Sequence, residues 1–271
     1  MKLAFSNLAW PAERDTAVLA ELPRRGFDHL EIAPTRIWSD PLAVPEQELR
    51  AFRSQMEDHG LHVVALQSLL FGRPELQLFG DDDARAALAD HLVGMARLAS
   101  AVGAQRLVFG SPGNRRRGAL PVEEADAVAV PFFAELGRRA EDLGVCFCIE
   151  ANPTAYKCDY LTDAVASTAF VRAVDSSGVR LHLDTACMAL GGDDPVERVE
   201  DGVDVLAHVH LSAPQLGPVG PGGPVDHASF AEALRGSGYD GHVSVEMLVP
   251  SGDDPEATLW RTADYVKETY A

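Results

Sequence analysis

Four short segments in the second half of the chain each deliver a residue that can bind a divalent cation. They read Cys-Phe-Cys-Ile-Glu150, Leu-His-Leu-Asp184, His-Val-His210-Leu and Val-Ser-Val-Glu246. If each is a β-strand, alternate side chains face opposite sides. Apolar Leu183, Val209 and Val245 then face one way. Asp184, His210 and Glu246 face the other, with Cys148, His182, His208 and Ser244 one layer below. A single strand-end carboxylate is most often a helix cap or a surface charge. Three that converge in a low-dielectric interior repel one another strongly, and a positive charge must offset them. The donor set of Glu150, Asp184, His210 and Glu246 suits one divalent metal ion, Mn²⁺ foremost, with Co²⁺, Mg²⁺ and Zn²⁺ as alternatives. His208 is the rival of His210 for the nitrogen ligand, and His210 lies nearer the end of its segment.

The elements that must position these residues form a repeating series. Strand-like runs fall near residues 2–6, 29–33, 62–67, 106–110, 145–150, 179–184, 207–211 and 242–247. Near-continuous apolar runs fit parallel strands buried on both faces. A helical pattern follows each. The clearest covers residues 83–102, with Leu88, Leu92, Met95, Ala96 and Ala99 on one face, and residues 122–143. Others begin near Glu13, Glu46, Thr162, Pro195, His227 and Pro255. Gly26, Gly60, Gly103, Gly144 and Gly178 precede strands two to six, where each can end the helix before it. Strict alternation gives a parallel sheet. Eight units in one chain predict closure into an α/β fold, a (β/α)8 TIM barrel forming a single domain over residues 1–271, with its active site at the C-terminal ends of the strands. The Gly- and Pro-rich stretch 217–224, just after strand seven, reads as an active-site loop.

Composition narrows the class. The chain has 271 residues, close to the roughly 250 that one such barrel needs. Its formal charge of −18 repels phosphate backbones and argues against a nucleic-acid partner. No apolar run approaches the ~20 residues of a membrane span, and the N-terminal residues lack the apolar stretch of a signal peptide. A cytoplasmic enzyme with a small-molecule substrate is the expectation, and assembly as a homo-oligomer is compatible with it. Cys146, Cys148, Cys158 and Cys187 contain no Cys-x-x-Cys pair and read as reduced thiols.

Ile149-Glu150-Ala151-Asn152-Pro153, Leu183-Asp184-Thr185, His208-Val209-His210 and Val245-Glu246 carry a resemblance that spans nearly the whole chain. It resembles the xylose isomerase-like barrels, the sugar phosphate isomerases and epimerases that include the ketose 3-epimerases. The resemblance implies one divalent metal on the four matching positions, with Glu150 and Glu246 also acting as an acid/base pair. The implied reaction is isomerisation or epimerisation of a sugar, sugar phosphate or cyclitol. A proton leaves the carbon beside a carbonyl, and the metal stabilises the enediolate that forms. Return of the proton to the opposite face gives an epimer; transfer to the adjacent carbon gives an aldose–ketose isomer.

Two places depart from the ketose epimerases. Those enzymes usually have a His three residues after the strand-six Asp, where this chain has Cys187. They tend to have an acidic residue and an Arg after the strand-seven His, where it reads Ser212-Ala213-Pro214-Gln215. Asn114-Arg115-Arg116-Arg117 follows strand four on the catalytic face. Arg115 is therefore expected to anchor an anionic group of the substrate by paired hydrogen bonds, the competing reading being a solvated basic loop. Asn114, Cys187, Asn152, Tyr156, Gln67 and His208 are the other candidate substrate contacts. Ser6, Trp10 and Glu31 are further polar or aromatic residues at strand ends.

Three other functions fit parts of this pattern. A dehydratase or lyase acting on an inosose-like or keto-sugar substrate would use the same metal site. An apurinic-site endonuclease shares the superfamily fold but needs several zinc ions and a basic DNA face. A non-catalytic sugar-binding barrel would fit the altered Cys187 position, though not the complete ligand set.

Overall fold

The computed structural model describes residues 1–248 and 254–271. Its elements run in the predicted order. Strand β1 (Lys2–Ser6) leads through α1 (Asp15–Glu21) to β2 (His29–Ile32), then α2 (Pro34–Ile37) and α3 (Glu46–Asp58). Next come β3 (His62–Leu66), α4 (Asp82–Val102), β4 (Arg106–Phe109), α5 (Val122–Asp142), β5 (Cys146–Glu150) and α6 (Ala164–Val174). Strand β6 (Val179–Asp184) is followed by α7 (Thr185–Gly191) and α8 (Pro195–Gly202). Strand β7 (Leu206–Leu211), α9 (His227–Gly236), β8 (His242–Val245) and α10 (Pro255–Tyr270) complete the chain. All eight strands pair in parallel in sequence order, and β8 pairs with β1 to close the barrel. No helix among the described residues is long and apolar enough to cross a membrane.

The alternation of the strands divides the core in two. Outward-facing Phe5, Ile32, Phe147, Ile149, Leu183, Val209 and Val245 join the helices in one continuous apolar cluster. On α4, Leu88, Leu92, Met95, Ala96 and Ala99 supply the buried face that their spacing predicts. The barrel axis is different. Its separate apolar cluster is only Ala4, Val64 and Ala65, and buried polar groups (Glu31, His182, His208, Ser244) fill much of the rest.

Several boundaries differ from the sequence expectation. Strand β8 stops at Val245, so Glu246 lies just beyond it. Helix α7 is a short additional helix, because Asp184 caps it: Oδ1 accepts from Cys187 N at 2.6 Å. Helix α6 starts at Ala164, where Asp163 caps it. Gly178 does not end that helix; Asp175 does so at φ 50°. Gly178 is needed instead for close packing, since a Cβ there would lie 2.0 Å from the Gly137 carbonyl oxygen.

Candidate active site

The C-terminal ends of β5, β6, β7 and β8 bring Glu150, Asp184, His210 and Glu246 together, with donor atoms of all four within 4.8 Å of one another. His210 Nδ1 is the centre of the group. It lies 3.3 Å from Glu246 Oε2, 3.8 Å from Glu150 Oε1 and 3.9 Å from Asp184 Oδ2, and it is buried with no hydrogen-bond partner. Its other nitrogen, Nε2, lies 2.9 Å from Glu31 Oε1, while His208 Nε2 lies 3.1 Å from Glu31 Oε2. Burial pushes the Glu31 carboxyl up, but His210 and His208 outweigh burial and hold it well below its usual range. An ionised Glu31 accepts an N–H from each imidazole. With Nε2 so engaged, His210 turns Nδ1 to the three carboxylates.

A divalent cation fits these residues: it would take the place of the proton on His210 Nδ1 and offset the negative charge. The protonation balance shows how closely these groups are crowded. Burial, then Asp184 and Glu246, push Glu150 up to about 8. Burial and Glu246 push Asp184 up. Burial alone would lower His210, yet Glu31 and Glu246 draw it well above its usual value. All three shifts report an excess of buried negative charge.

Neighbouring groups fix each carboxylate. Asn152 Nδ2 donates to Glu150 Oε2 at 2.8 Å. Ser212 Oγ donates to Asp184 Oδ2 at 2.6 Å. Gln67 Nε2 donates to Glu246 Oε1, and Ser6 Oγ donates to Gln67 Oε1. At the end of β4, Gly110 makes room for Glu150: a Cβ there would meet Glu150 Oε2 at 2.1 Å. Above the cluster opens a cavity of about 350 Å³, lined by Glu150, Asp184 and Glu246 with Pro112, Asn152, Tyr156, Ala186, Cys187, Ser212, Gln215 and Leu216. None of these residues is Lys or Arg.

The structure places several expected contacts elsewhere. Arg115 is fully buried, not exposed to the cavity; its Nη2 donates to the Glu150 carbonyl oxygen at 2.6 Å and to Asn152 Oδ1 at 3.2 Å. Its Nε and Nη1 have no partner, and Arg115 is not among the residues that line the cavity. Asn114 turns away, donating to the carbonyls of Arg73 at 2.8 Å and Leu76 at 2.7 Å. Arg116 is exposed, and Arg117 donates to the carbonyls of Asp159 and Leu120. Gln67 and His208 lie beneath the cavity, one holding Glu246 and the other Glu31. The stretch 217–224 does not line the cavity, because it is drawn onto α10, where Thr262 Oγ1 donates to the Val219 carbonyl. Cys187, Asn152 and Tyr156 do line it. Sequence reasoning missed Ser212, which shares the phase of His208 and His210, two residues further on. It placed Glu31 at a strand end without its part in holding both imidazoles.

Comparison with known proteins agrees with this architecture. An L-ribulose 3-epimerase from Methylomonas sp. (strain DH-1) is 24% identical over 257 residues, covering 93% of this chain and 86% of that one. The crystal structure of a D-psicose 3-epimerase from Clostridium cellulolyticum H10, with D-tagatose, superimposes with a TM-score of 0.82 at 19% identity, covering 100% of this chain and 99% of that chain. An IOLI protein with a bound zinc atom superimposes with a TM-score of 0.77 at 18% identity, covering 100% of this chain and 98% of that chain. Residues 19–268 match the family described as Xylose isomerase-like TIM barrel. With nearly the whole barrel inside that match, the chain belongs to the xylose isomerase-like TIM barrel family.

Proposed function

We propose that this protein is an epimerase or isomerase of neutral ketose-like sugars, acting by proton transfer at the carbon beside the carbonyl. The observation that carries this reading is the matched presentation of Glu150 and Glu246. Each has one carboxylate oxygen tied to a side-chain amide, Asn152 or Gln67. Each turns its other oxygen toward His210 Nδ1 at the floor of one cavity. Two positioned carboxylates reaching a common point from separate strands can take a proton from one face of a substrate and deliver it to another. The names of the relatives support this class of reaction.

Glu150, Asp184, His210 and Glu246 would hold a divalent cation, with Mn²⁺ the expected ion, which would supply a Lewis acid to polarise the substrate carbonyl. The chain's own residues do the remainder. Ser212 and the α7 N-terminus hold the Asp184 carboxylate by both oxygens. Tyr156, Cys187 and Gln215 offer polar contacts to hydroxyl groups, and Pro112 and Leu216 an apolar wall for a sugar's C–H face. The lack of a Lys or Arg among the described lining residues favours a neutral substrate over a phosphate ester.

The test is solvent exchange. Metal-loaded protein is incubated in D₂O with D-psicose, D-tagatose and L-ribulose, and products are followed by mass and stereochemistry. Deuterium should enter beside the carbonyl without loss of water. Glu150→Gln and Glu246→Gln should each slow exchange by about 10²–10⁴-fold. Exchange at the wild-type rate in both variants, or a product that has lost water, overturns the reading.

A further inference from the structure

The opposite end of the barrel gathers a second group of basic side chains. Lys2, His29, His62, Arg106, Arg180 and His242 stand at or near the starts of their strands. Lys2, His29, Arg180 and His242 share the inward phase of Ser6, Glu31, His182 and Ser244 on the same strands. The rings of His29 and His242 lie edge to face with centroids 4.7 Å apart, and those of His29 and His62 are 6.2 Å apart. Arg106 reaches from β4 under the barrel to β7, where Nε donates to the Ala207 carbonyl at 3.3 Å. In a chain of charge −18, a group of basic side chains this dense calls for a reason.

Beside it, between the starts of β4 to β8, lies a cavity of about 720 Å³ whose lining includes Arg106, Cys146, Arg180, Ala207 and Tyr239. Among the described residues, neither arginine has a carboxylate partner. Arg106 donates only to the carbonyls of Ala207 and Gln105, and Arg180 only to the carbonyl of Asp204. The carboxylates that also reach this cavity have other roles or face solvent. Glu141 accepts from Ser176 Oγ and Gly178 N, Asp204 pairs with Arg172, and Asp240 is exposed. Burial first, then His29, His208, Lys2 and Arg106, hold the neighbouring His242 down to about 3.

We infer that this cavity is an oxyanion site, in which Arg106 and Arg180 together hold a phosphate-type or carboxylate anion at the end of the barrel away from the reaction. A guanidinium has five N–H donors in a fixed fork. The carbonyls hold both side chains in place and leave donors free on each, and two such forks suit an oxyanion's several acceptors. The face at the strand starts serves stability in barrels of this kind, so the anion acts as a stabilising ligand.

Isothermal titration with inorganic phosphate, and separately with succinate, tests this on the metal-loaded protein. Arg106→Gln and Arg180→Gln should each weaken the anion that binds by about 10-fold or more. Asp184→Asn, which alters the far end, should leave that affinity unchanged. Arg106→Lys keeps the charge without the fork and should fall between, and circular dichroism checks that each variant is folded. Phosphate against succinate identifies the oxyanion class. No heat from either at about 10 mM, or equal affinity in the Arg→Gln variants, overturns the proposal. Loss of binding in Asp184→Asn alone would place the anion in the reaction cavity and overturn it equally.

Discussion

Arg115 Nη2 donates to the backbone carbonyl of Glu150 at 2.6 Å, from a position with no solvent exposure. The same nitrogen donates to Asn152 Oδ1, whose amide nitrogen holds Glu150 Oε2. One guanidinium therefore fixes both the main chain and the amide that orient the proposed proton-transfer carboxylate. Arg115→Met should leave two buried acceptors short of a donor, at about 1–3 kcal/mol each in unfolding free energy. It should also lower kcat by about 10²-fold, the scale of a slightly misplaced catalytic group, with KM for a neutral ketose changed far less. Steady-state kinetics and urea unfolding measure both. A stability loss with unchanged kcat would make Arg115 a packing residue only.

Metal content separates the two imidazoles on β7. His210 turns Nδ1 to the carboxylates, whereas His208 hydrogen-bonds to Glu31. His210→Ala and Asp184→Ala should abolish stoichiometric metal in protein purified without chelator. His208→Ala removes one of the two groups that hold Glu31 and should weaken metal binding by about 10–100-fold without abolishing it. Elemental analysis decides, and full occupancy in Asp184→Ala would remove that residue from the ligand set.

Gly110 offers a sharper probe of Glu150. The atom that a new Cβ would meet, Glu150 Oε2 at 2.1 Å, is the mobile end of a side chain. Gly110→Ala should therefore move the carboxylate rather than unfold the barrel. Activity should fall by about 10²-fold or more with the midpoint of thermal unfolding nearly unchanged. Wild-type turnover would show that Glu150 has another productive position.

Acid sensitivity should come partly from His227, which is 3% exposed and bonded through Nδ1 to Tyr270 Oη at 2.7 Å. Burial lowers its pKa from 6.5 to about 4. The unfolded chain therefore takes up this proton first as pH falls. The stability that neutral His227 contributes is complete above about pH 6.5 and is lost as pH drops through 4, by about 3 kcal/mol in all. His242 acts in the same direction. In urea titrations at several pH values, His227→Gln should show a shallower decline over that interval. An identical slope would assign the acid response to other groups.

How much of this was legible in the sequence depended on what encoded it. Alternation made the phase of Asp184, His210 and Glu246 readable, because period two leaves only two faces. Long helices such as α4 were readable from apolar spacing. Arg115 was not: in the sequence it reads as an anion clamp on the catalytic face or else as part of a solvated loop, and only the tertiary path after β4 carries it inward to the Glu150 carbonyl. Asn114 failed for the same reason. Helix α7 was hidden because its start depends on Asp184, a residue already spoken for as a ligand. The binding of two histidines by one Glu31 joins β2 to β7 across the barrel, and no local spacing records that.

All four candidate ligands come from the consecutive strands β5 to β8, while Ser6, Glu31, Gln67, Gly110 and Arg115 brace them from the other half. Most of the bracing is thus separable along the chain from the groups it braces. Substitutions at Ser6, Glu31, Gln67, Gly110 or Arg115 would change how firmly and where the candidate ligands are held, so the first half offers positions from which the site can be retuned by degrees, without first dismantling it.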